Sequence, residues 1–180
     1  MNPPKSYYSQ ESERLSYRSL TKDDINLWLP FFENNPALRF LGMDSEYFKH
    51  LSDIEKASKW INRQMEREAN GEFGQLAVIE KASGAMIGLG GIIYRNEDGI
   101  ENDFEVTYSL LPNSHGKGYG TELAVHFKEF GLKHTGNKTM ISIIHQENMP
   151  SIRVAEKNGM VQDGALESYM DMPIFIYRTK

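Results

Sequence analysis

The sequence predicts an α+β protein whose central sheet is mixed but mostly antiparallel, with about seven strands and flanking helices. Three strand-like segments, residues 73–80, 86–94 and 104–111, follow one another with only short turn-rich spacers between them. Such spacing is typical of antiparallel neighbours. Segments with helical periodicity precede and follow these strands, which places helices against the sheet.

Composition indicates one ordinary globular domain over residues 1–180, with 39% hydrophobic and 25% charged residues. No segment approaches the ~18 consecutive apolar residues of a membrane span. Residues 1–10 lack the apolar core of a secretory signal, so we expect a cytoplasmic protein without a membrane partner. The absence of cysteine excludes disulfides and thiolate chemistry, and a formal charge of −5 argues against nucleic-acid binding.

The first part of the chain predicts a strand and two helices. Residues 14–20 alternate apolar and polar side chains as a strand does. A helix is expected over residues 21–32, because an N-cap and acidic residues open it and Asn34, Asn35 and Pro36 stop it. Residues 52–55 form a capping box for the second helix, which ends at Asn70 and Gly71.

The rest of the chain continues the pattern. Turn signals at residues 81–84 and 96–99 separate the three central strands. A helix is expected over residues 119–132, since its apolar residues recur at helical spacing. The remaining elements, in order, are a strand at 138–144, a helix at 151–158, and strands at 160–166 and 173–178.

A glycine-rich junction, residues 114–121, joins the strand at 104–111 to the helix at 119–132. Glycines at 116, 118 and 120 leave the backbone without Cβ atoms, so several amides can converge on one ligand. The junction lies at a helix N-terminus, where partial positive charge favours anions. We therefore predict a diphosphate site. The spacing fits neither a phosphate-binding P-loop nor a dinucleotide fingerprint.

Three motifs carry a family resemblance: Glu-Val-Thr-Tyr-Ser-Leu at 105–110, His-Gly-Lys-Gly-Tyr-Gly-Thr-Glu at 115–122, and residues 148–160 with their ending Glu-Lys-Asn-Gly-Met. Together they resemble the GNAT superfamily of acyl-CoA-dependent N-acyltransferases. With the opening at residues 13–21, the chain is most similar to the branch containing the bacterial ribosomal-protein N-terminal acetyltransferases. One position departs from the family pattern: His115 stands where Gln or Arg is usual, which we expect to alter cofactor affinity more than cofactor identity.

The resemblance implies a GNAT fold with a splayed strand pair and acetyl-CoA as cosubstrate. The pantetheine arm would lie along residues 109–111, where Pro112 cannot continue the ladder. Leu110 and Leu111 can equally be plain core residues, and both interpretations can hold together. The expected cofactor-binding residues are Ser109, Leu110, Leu111, His115, Gly116, Lys117, Gly118, Tyr119, Gly120, Thr121, Asn148 and Ser151.

The resemblance also suggests the catalytic residues. Glu105 is the candidate general base, with a solvated strand glutamate as the alternative. Asn148 is a candidate for orienting the pantetheine amide or a water, and Ser151 for protonating the departing thiolate; either residue can instead cap the following helix. Tyr108 and Tyr119 are expected to be packing residues. The histidines lack metal-ligand spacing, so no metal is expected.

The implied activity is acetyl transfer from acetyl-CoA to a primary amine, by direct attack in a ternary complex. The acceptor is a protein N-terminus or a small-molecule amine, and its pocket is expected within residues 28–48, above all at 34–41. The alternative is a non-catalytic CoA-binding module of the same fold. A nucleotide-dependent kinase is disfavoured because no P-loop is present. The protein is expected to be a monomer or homodimer.

Overall fold

The computed structural model describes residues 2–43, 48–97 and 99–180. Within them lie eight strands: β1 (Ser9–Glu11), β2 (Leu15–Arg18), β3 (Gln75–Glu80), β4 (Met86–Glu97), β5 (Ile100–Leu110), β6 (Ile141–His145), β7 (Met160–Tyr169) and β8 (Met172–Thr179). The helices are α1 (Asp24–Trp28), α2 (Asp53–Ala69), α3 (Tyr119–His134) and α4 (Met149–Lys157). Short 3₁₀ turns occupy Lys5–Tyr8, Leu29–Phe31, Pro36–Leu41 and Pro112–Ser114.

All eight strands form one sheet in the order β1-β2-β3-β4-β5-β6-β8-β7. Every neighbouring pair is antiparallel except β5 and β6, which are parallel. The predicted mixed, mostly antiparallel α+β sheet is confirmed, with one more strand than expected. The additional strand, β1, is three residues long, which is too short to show a period of two.

The sheet has a core on each face. On one face, α3 packs Leu123 and Phe127 against Val106 of β5. On the other face, α1 and α2 contribute Trp28 and Ile61 to a second buried cluster. The sheet is therefore covered on both sides, and side chains of β5 alternate between the two layers.

Two helix boundaries show how local sequence acts. The predicted capping box opens α2, where the Ser52 amide donates to the Glu55 carboxylate at 2.8 Å. The predicted helix over residues 21–32 is shorter: α1 ends at Trp28 and continues as a 3₁₀ turn over Leu29–Phe31. Pro30 lies in that turn, and its missing N–H cannot continue the α-helical ladder.

Candidate active site

The parallel pair β5 and β6 separates soon after it forms. Among the described residues, the two strands are paired at Glu105 of β5 and Ile141 of β6. One residue further along, the Ser142 hydroxyl donates to the Val106 carbonyl at 3.1 Å. Beyond this point β5 runs on to Leu110 without a ladder to β6. A strand edge therefore opens between them, as the predicted splayed pair requires.

The backbone of β5 shows which amides face the opening. The Leu111 amide donates to the Ile87 carbonyl at 2.9 Å, so it is already bonded on the β4 side. Because backbone groups alternate along an antiparallel strand, the Ser109 amide also faces β4, whereas the amides of Tyr108 and Leu110 face away from it. A cofactor contact through the Leu111 amide would thus have to break a ladder bond, which sequence periodicity alone did not reveal.

The glycine junction is an exposed loop that leads into α3. Residues 115–118 are exposed, and α3 begins at Tyr119. Gly116 and Gly118 have φ angles of +76° and +82°, a left-handed conformation that side chains with a Cβ disfavour. Left-handed residues beside a helix N-terminus gather successive amides into a concave anion site. The diphosphate site stays a prediction, and this loop is its expected location.

His115 joins the loop to the open strand edge. Its Nε2 lies 3.0 Å from the Leu110 carbonyl, the residue whose backbone faces away from β4. Because a carbonyl oxygen can only accept, Nε2 donates this hydrogen bond. His115, which departs from the family pattern, therefore has a local structural role: it satisfies the Leu110 carbonyl at the open edge of β5.

Tyr108 of β5 lies beside the first turns of α3 and α4. A Cβ on Gly120 of α3 would lie 3.6 Å from the Tyr108 ring and 3.7 Å from Val154 of α4, so the ring lies against the first turn of α3 and near α4. Burial raises the pKa of the Tyr108 hydroxyl, and a hydrogen bond with Ser151 opposes that rise. Tyr108 thus packs as predicted, and it also presents its hydroxyl to Ser151.

Asn148 caps α4. Its Oδ1 accepts from the Ser151 amide at 3.3 Å, which is the capping alternative considered for this residue. Ser151 lies inside the first turn of α4 and is not the cap, so its hydroxyl is free of that role. The structure therefore brings Asn148 and Ser151 together at the start of α4, and Ser151 meets Tyr108 of β5.

Glu105 is buried, with 5% of its surface exposed, rather than solvated as its alternative supposed. Its Oε2 accepts from both Nε and Nη2 of Arg95, at 2.7 and 2.6 Å. Burial alone would lower the pKa of Arg95, but the charge and hydrogen bond of Glu105, together with Tyr169 and Glu97, outweigh it and the net pKa is raised. Arg95 therefore stays charged, and it engages one Glu105 oxygen while leaving Oε1 without a hydrogen-bond partner among the described residues.

Glu105 lies on the α2 side of the sheet, together with other polar groups. Along the same strand, Thr107 accepts a hydrogen bond from Gln75 at 3.2 Å, and Gln75 in turn accepts from the Trp60 indole at 2.7 Å. Sequence reasoning missed Arg95, Gln75 and this chain of hydrogen bonds. The available signal was a set of polar residues inside otherwise apolar strands.

The expected acceptor wall, residues 28–48, divides into two parts. Trp28 is fully buried and its ring stacks on Phe31 with 4.2 Å between centroids, so this part belongs to the core. The turn Pro36–Leu41 instead reaches the end of β6, where Phe40 and His145 have ring centroids 5.1 Å apart. His145 is followed closely by Asn148, whose amide donates to the His145 carbonyl at 2.9 Å, so the turn lies near the start of α4. Residues 44–47 lie outside the described part of the chain.

Metal-ligand clusters and membrane helices are both missing from the described residues. These residues contain no group of three or more histidine, aspartate or glutamate side chains placed to hold a metal ion. No helix among them has both the length and the apolar character needed to cross a bilayer.

Comparison with known proteins identifies the family. The acetyltransferase (GNAT) domain family matches residues 14–161. An uncharacterized N-acetyltransferase of Bacillus subtilis, YnaD, is 34% identical over 125 residues, which cover 67% of this chain and 69% of YnaD.

Solved structures share the fold. An acetyltransferase from Agrobacterium tumefaciens superposes with a TM-score of 0.76 at 23% identity, covering 100% of this chain and 98% of its own. RimL, a ribosomal L7/L12 α-N-protein acetyltransferase in complex with coenzyme A, gives 0.69 at 13% identity, covering 93% and 94%. Because the family match spans most of the sequence, the chain belongs to the GNAT acetyltransferase family and is an acetyl-CoA-dependent acyltransferase.

Proposed function

We propose that the protein is an N-acetyltransferase that moves the acetyl group of acetyl-CoA to a primary amine, by direct attack in a ternary complex. One observation carries the proposal: an exposed glycine loop at the N-terminus of α3 directly follows a strand edge that has no ladder partner. An anion site and an open edge in tandem suit a ligand with a diphosphate at one end and amide groups at the other.

The residues present fit acetyl-CoA. Amides over residues 116–121 would hold the diphosphate, since the left-handed Gly116 and Gly118 allow them to converge. The amides of Tyr108 and Leu110 would bind the pantetheine arm along the open edge of β5. When bound, acetyl-CoA supplies an activated acyl group and a thiolate leaving group.

The observed contacts support the proposed proton-transfer roles. Ser151 is proposed to protonate the leaving thiolate from its Oγ and to regain a proton from solvent, and the Tyr108 hydroxyl beside it would orient that group. Asn148 is proposed to hold the start of α4 and, with the part of its amide that does not cap, to orient the pantetheine. Glu105 is proposed to take the acceptor proton at Oε1, the oxygen that Arg95 leaves free.

The chemistry of the site favours an acceptor amine that is easily deprotonated near pH 7. An α-amino group ordinarily has a pKa of about 7.7–8.0, against about 10.4 for lysine, so a useful fraction is already neutral near pH 7. Glu105 shares its carboxylate with Arg95 and cannot act as an isolated base. These points favour a protein or peptide N-terminus, and then a small-molecule amine of similarly low pKa, over a lysine side chain.

Thiol release tests the proposal directly. The chain has no cysteine, so every thiol detected during turnover comes from CoA. Acetyl-CoA would be incubated with peptides bearing free N-termini and with small amines, each matched by the same compound acetylated beforehand. We expect thiol release with at least one free amine and only background release with its blocked partner.

Two further outcomes would contradict the proposal in different ways. CoA binding by isothermal titration without thiol release from any amine would favour a non-catalytic CoA-binding module. Absence of CoA binding at millimolar concentration would contradict the cofactor assignment itself.

A further inference from the structure

We propose that Arg14 is a positioning residue for the diphosphate of acetyl-CoA. Its side chain fixes the peptide between Lys117 and Gly118 so that the Gly118 amide points toward the ligand. This inference rests on the proposed function, since the diphosphate site is part of it.

Arg14 contacts the glycine loop and the first turn of α3 at once. Its Nη1 donates to the Lys117 carbonyl at 2.9 Å, and its Nε donates to the Glu122 carboxylate at 2.8 Å. The guanidinium also lies over the Tyr119 ring, 4.6 Å from its centroid. One planar group therefore spans residues 117–122, although it comes from the corner between β1 and β2, more than a hundred residues earlier in the chain.

Peptide geometry converts this contact into an amide direction. The carbonyl of one residue and the N–H of the next lie in one plane and point in opposite directions in a trans peptide. Because Arg14 draws the Lys117 carbonyl toward itself, the Gly118 N–H must point to the opposite side. Gly118 has φ of +82°, and a Cβ there would lie 3.4 Å from Arg14 Nη2, so the residue suits both the turn and the approaching guanidinium.

Glu122 holds Arg14 in place. Its Oε1 accepts from the Ser12 hydroxyl at 2.6 Å and from the Arg14 amide at 2.7 Å, while Oε2 accepts from the side chain. Burial alone would raise the pKa of Glu122, but these hydrogen bonds and the Arg14 charge hold it below its ordinary value. The carboxylate is thus ionised within the first turn of α3.

The charge of Glu122 distinguishes a positioning role of Arg14 from simple electrostatic attraction between Arg14 and the diphosphate. A carboxylate beside a diphosphate site repels the ligand, so removing it should strengthen binding if charge alone mattered. If Glu122 instead serves to orient Arg14, removing it should weaken binding. The two explanations predict opposite signs for one substitution.

The test measures the Kd of CoA by isothermal titration for Arg14→Gln, Arg14→Lys and Glu122→Ala. Arg18→Gln is the matched control, because Arg18 is as exposed as Arg14, at 43% against 44%, and also pairs with a carboxylate, Asp24. We expect each of the three variants to raise Kd about tenfold, as loss of a charge-assisted hydrogen bond would. The control should stay within about twofold of wild type.

The amide of Gly118 provides a spectroscopic readout. In ¹⁵N-labelled wild-type protein its resonance should shift on CoA addition, and in Arg14→Gln that shift should shrink while thermal unfolding shows a folded protein. Tighter binding by Glu122→Ala, or full rescue by Arg14→Lys, would overturn the positioning role in favour of charge. Unchanged binding by Arg14→Gln would overturn it outright, whereas wild-type protein that binds no CoA would refute the proposed function instead.

Discussion

Replacing Gly116 by alanine is the sharpest single perturbation of the proposed diphosphate loop. Gly116 has φ of +76°, and a Cβ built there meets nothing within 4 Å. The substitution therefore adds backbone strain without a clash inside the protein. Gly159, at the end of α4, is matched in both respects, with φ of +77° and the same open space.

The upper limit of the expected cost in stability is the same at both positions. An L-residue held in the left-handed region costs about 1–2 kcal/mol. For a chain of this size each kcal/mol lowers the melting temperature by about 2–4 °C. Gly159→Ala should therefore lose about this much stability, and Gly116→Ala should lose less, because its exposed loop can relax the strain.

Binding of CoA should separate the two variants. At residue 116 the loop can escape its strain by turning to negative φ, which redirects the amides, and binding must then restore the strained form. A cost of about 1.4 kcal/mol corresponds to tenfold in Kd, so we expect Gly116→Ala to bind CoA about tenfold more weakly. Gly159→Ala should bind as wild type does, because its residue lies outside the loop.

Isothermal titration with CoA, paired with thermal unfolding of both variants, measures these effects. Equal Kd values for CoA in the two variants would refute the assignment of the ligand site to the loop. So would weaker binding by Gly159→Ala than by Gly116→Ala.

Three further outcomes are expected. Glu105→Gln should lower kcat by about a hundredfold with little change in CoA affinity, since a general base contributes typically 10²–10⁴-fold. Glu97→Gln is the control because it also removes a partner of Arg95, and equal kcat values for the two variants would contradict the role of Glu105 as base. Ser151→Ala should lower kcat without weakening CoA binding, and restoration by Ser151→Thr would show that the hydroxyl is responsible. Burial lowers the pKa of His126, so the unfolded chain binds the proton more readily and the free energy of unfolding should fall as the pH drops below about 6.5. Urea unfolding at pH 7 and pH 5 should show a smaller fall for His126→Gln than for wild type, and an equal fall would contradict this assignment.

Local sequence signals predicted the elements that depend on local physics. The capping box at residues 52–55 corresponds to the observed start of α2, and the turn signal at 81–84 to the connection between β3 and β4. The turn signal at 96–99 overlaps the end of β4 at Glu97 and precedes the start of β5 at Ile100, while residue 98 lies outside the described part of the chain. These signals succeed because a cap or a turn is decided by a few neighbouring residues. The order of elements followed from them.

Contacts between distant residues could not be read in the same way. Arg14 reaches Lys117, and Arg95 pairs with Glu105, only because the sheet brings their strands and loops together. The commitment of the Leu111 amide to Ile87 likewise depends on strand register, which a shift of one residue would reverse. The candidate site was therefore located from its glycines, but its supporting side chains required the fold.

A crystal structure with CoA bound is the most direct measurement of the central claim. It should place the diphosphate oxygens within hydrogen-bonding distance of amides between Gly116 and Thr121, with the pantetheine arm beside the open edge of β5. CoA bound at another surface, with those amides facing solvent, would contradict the account.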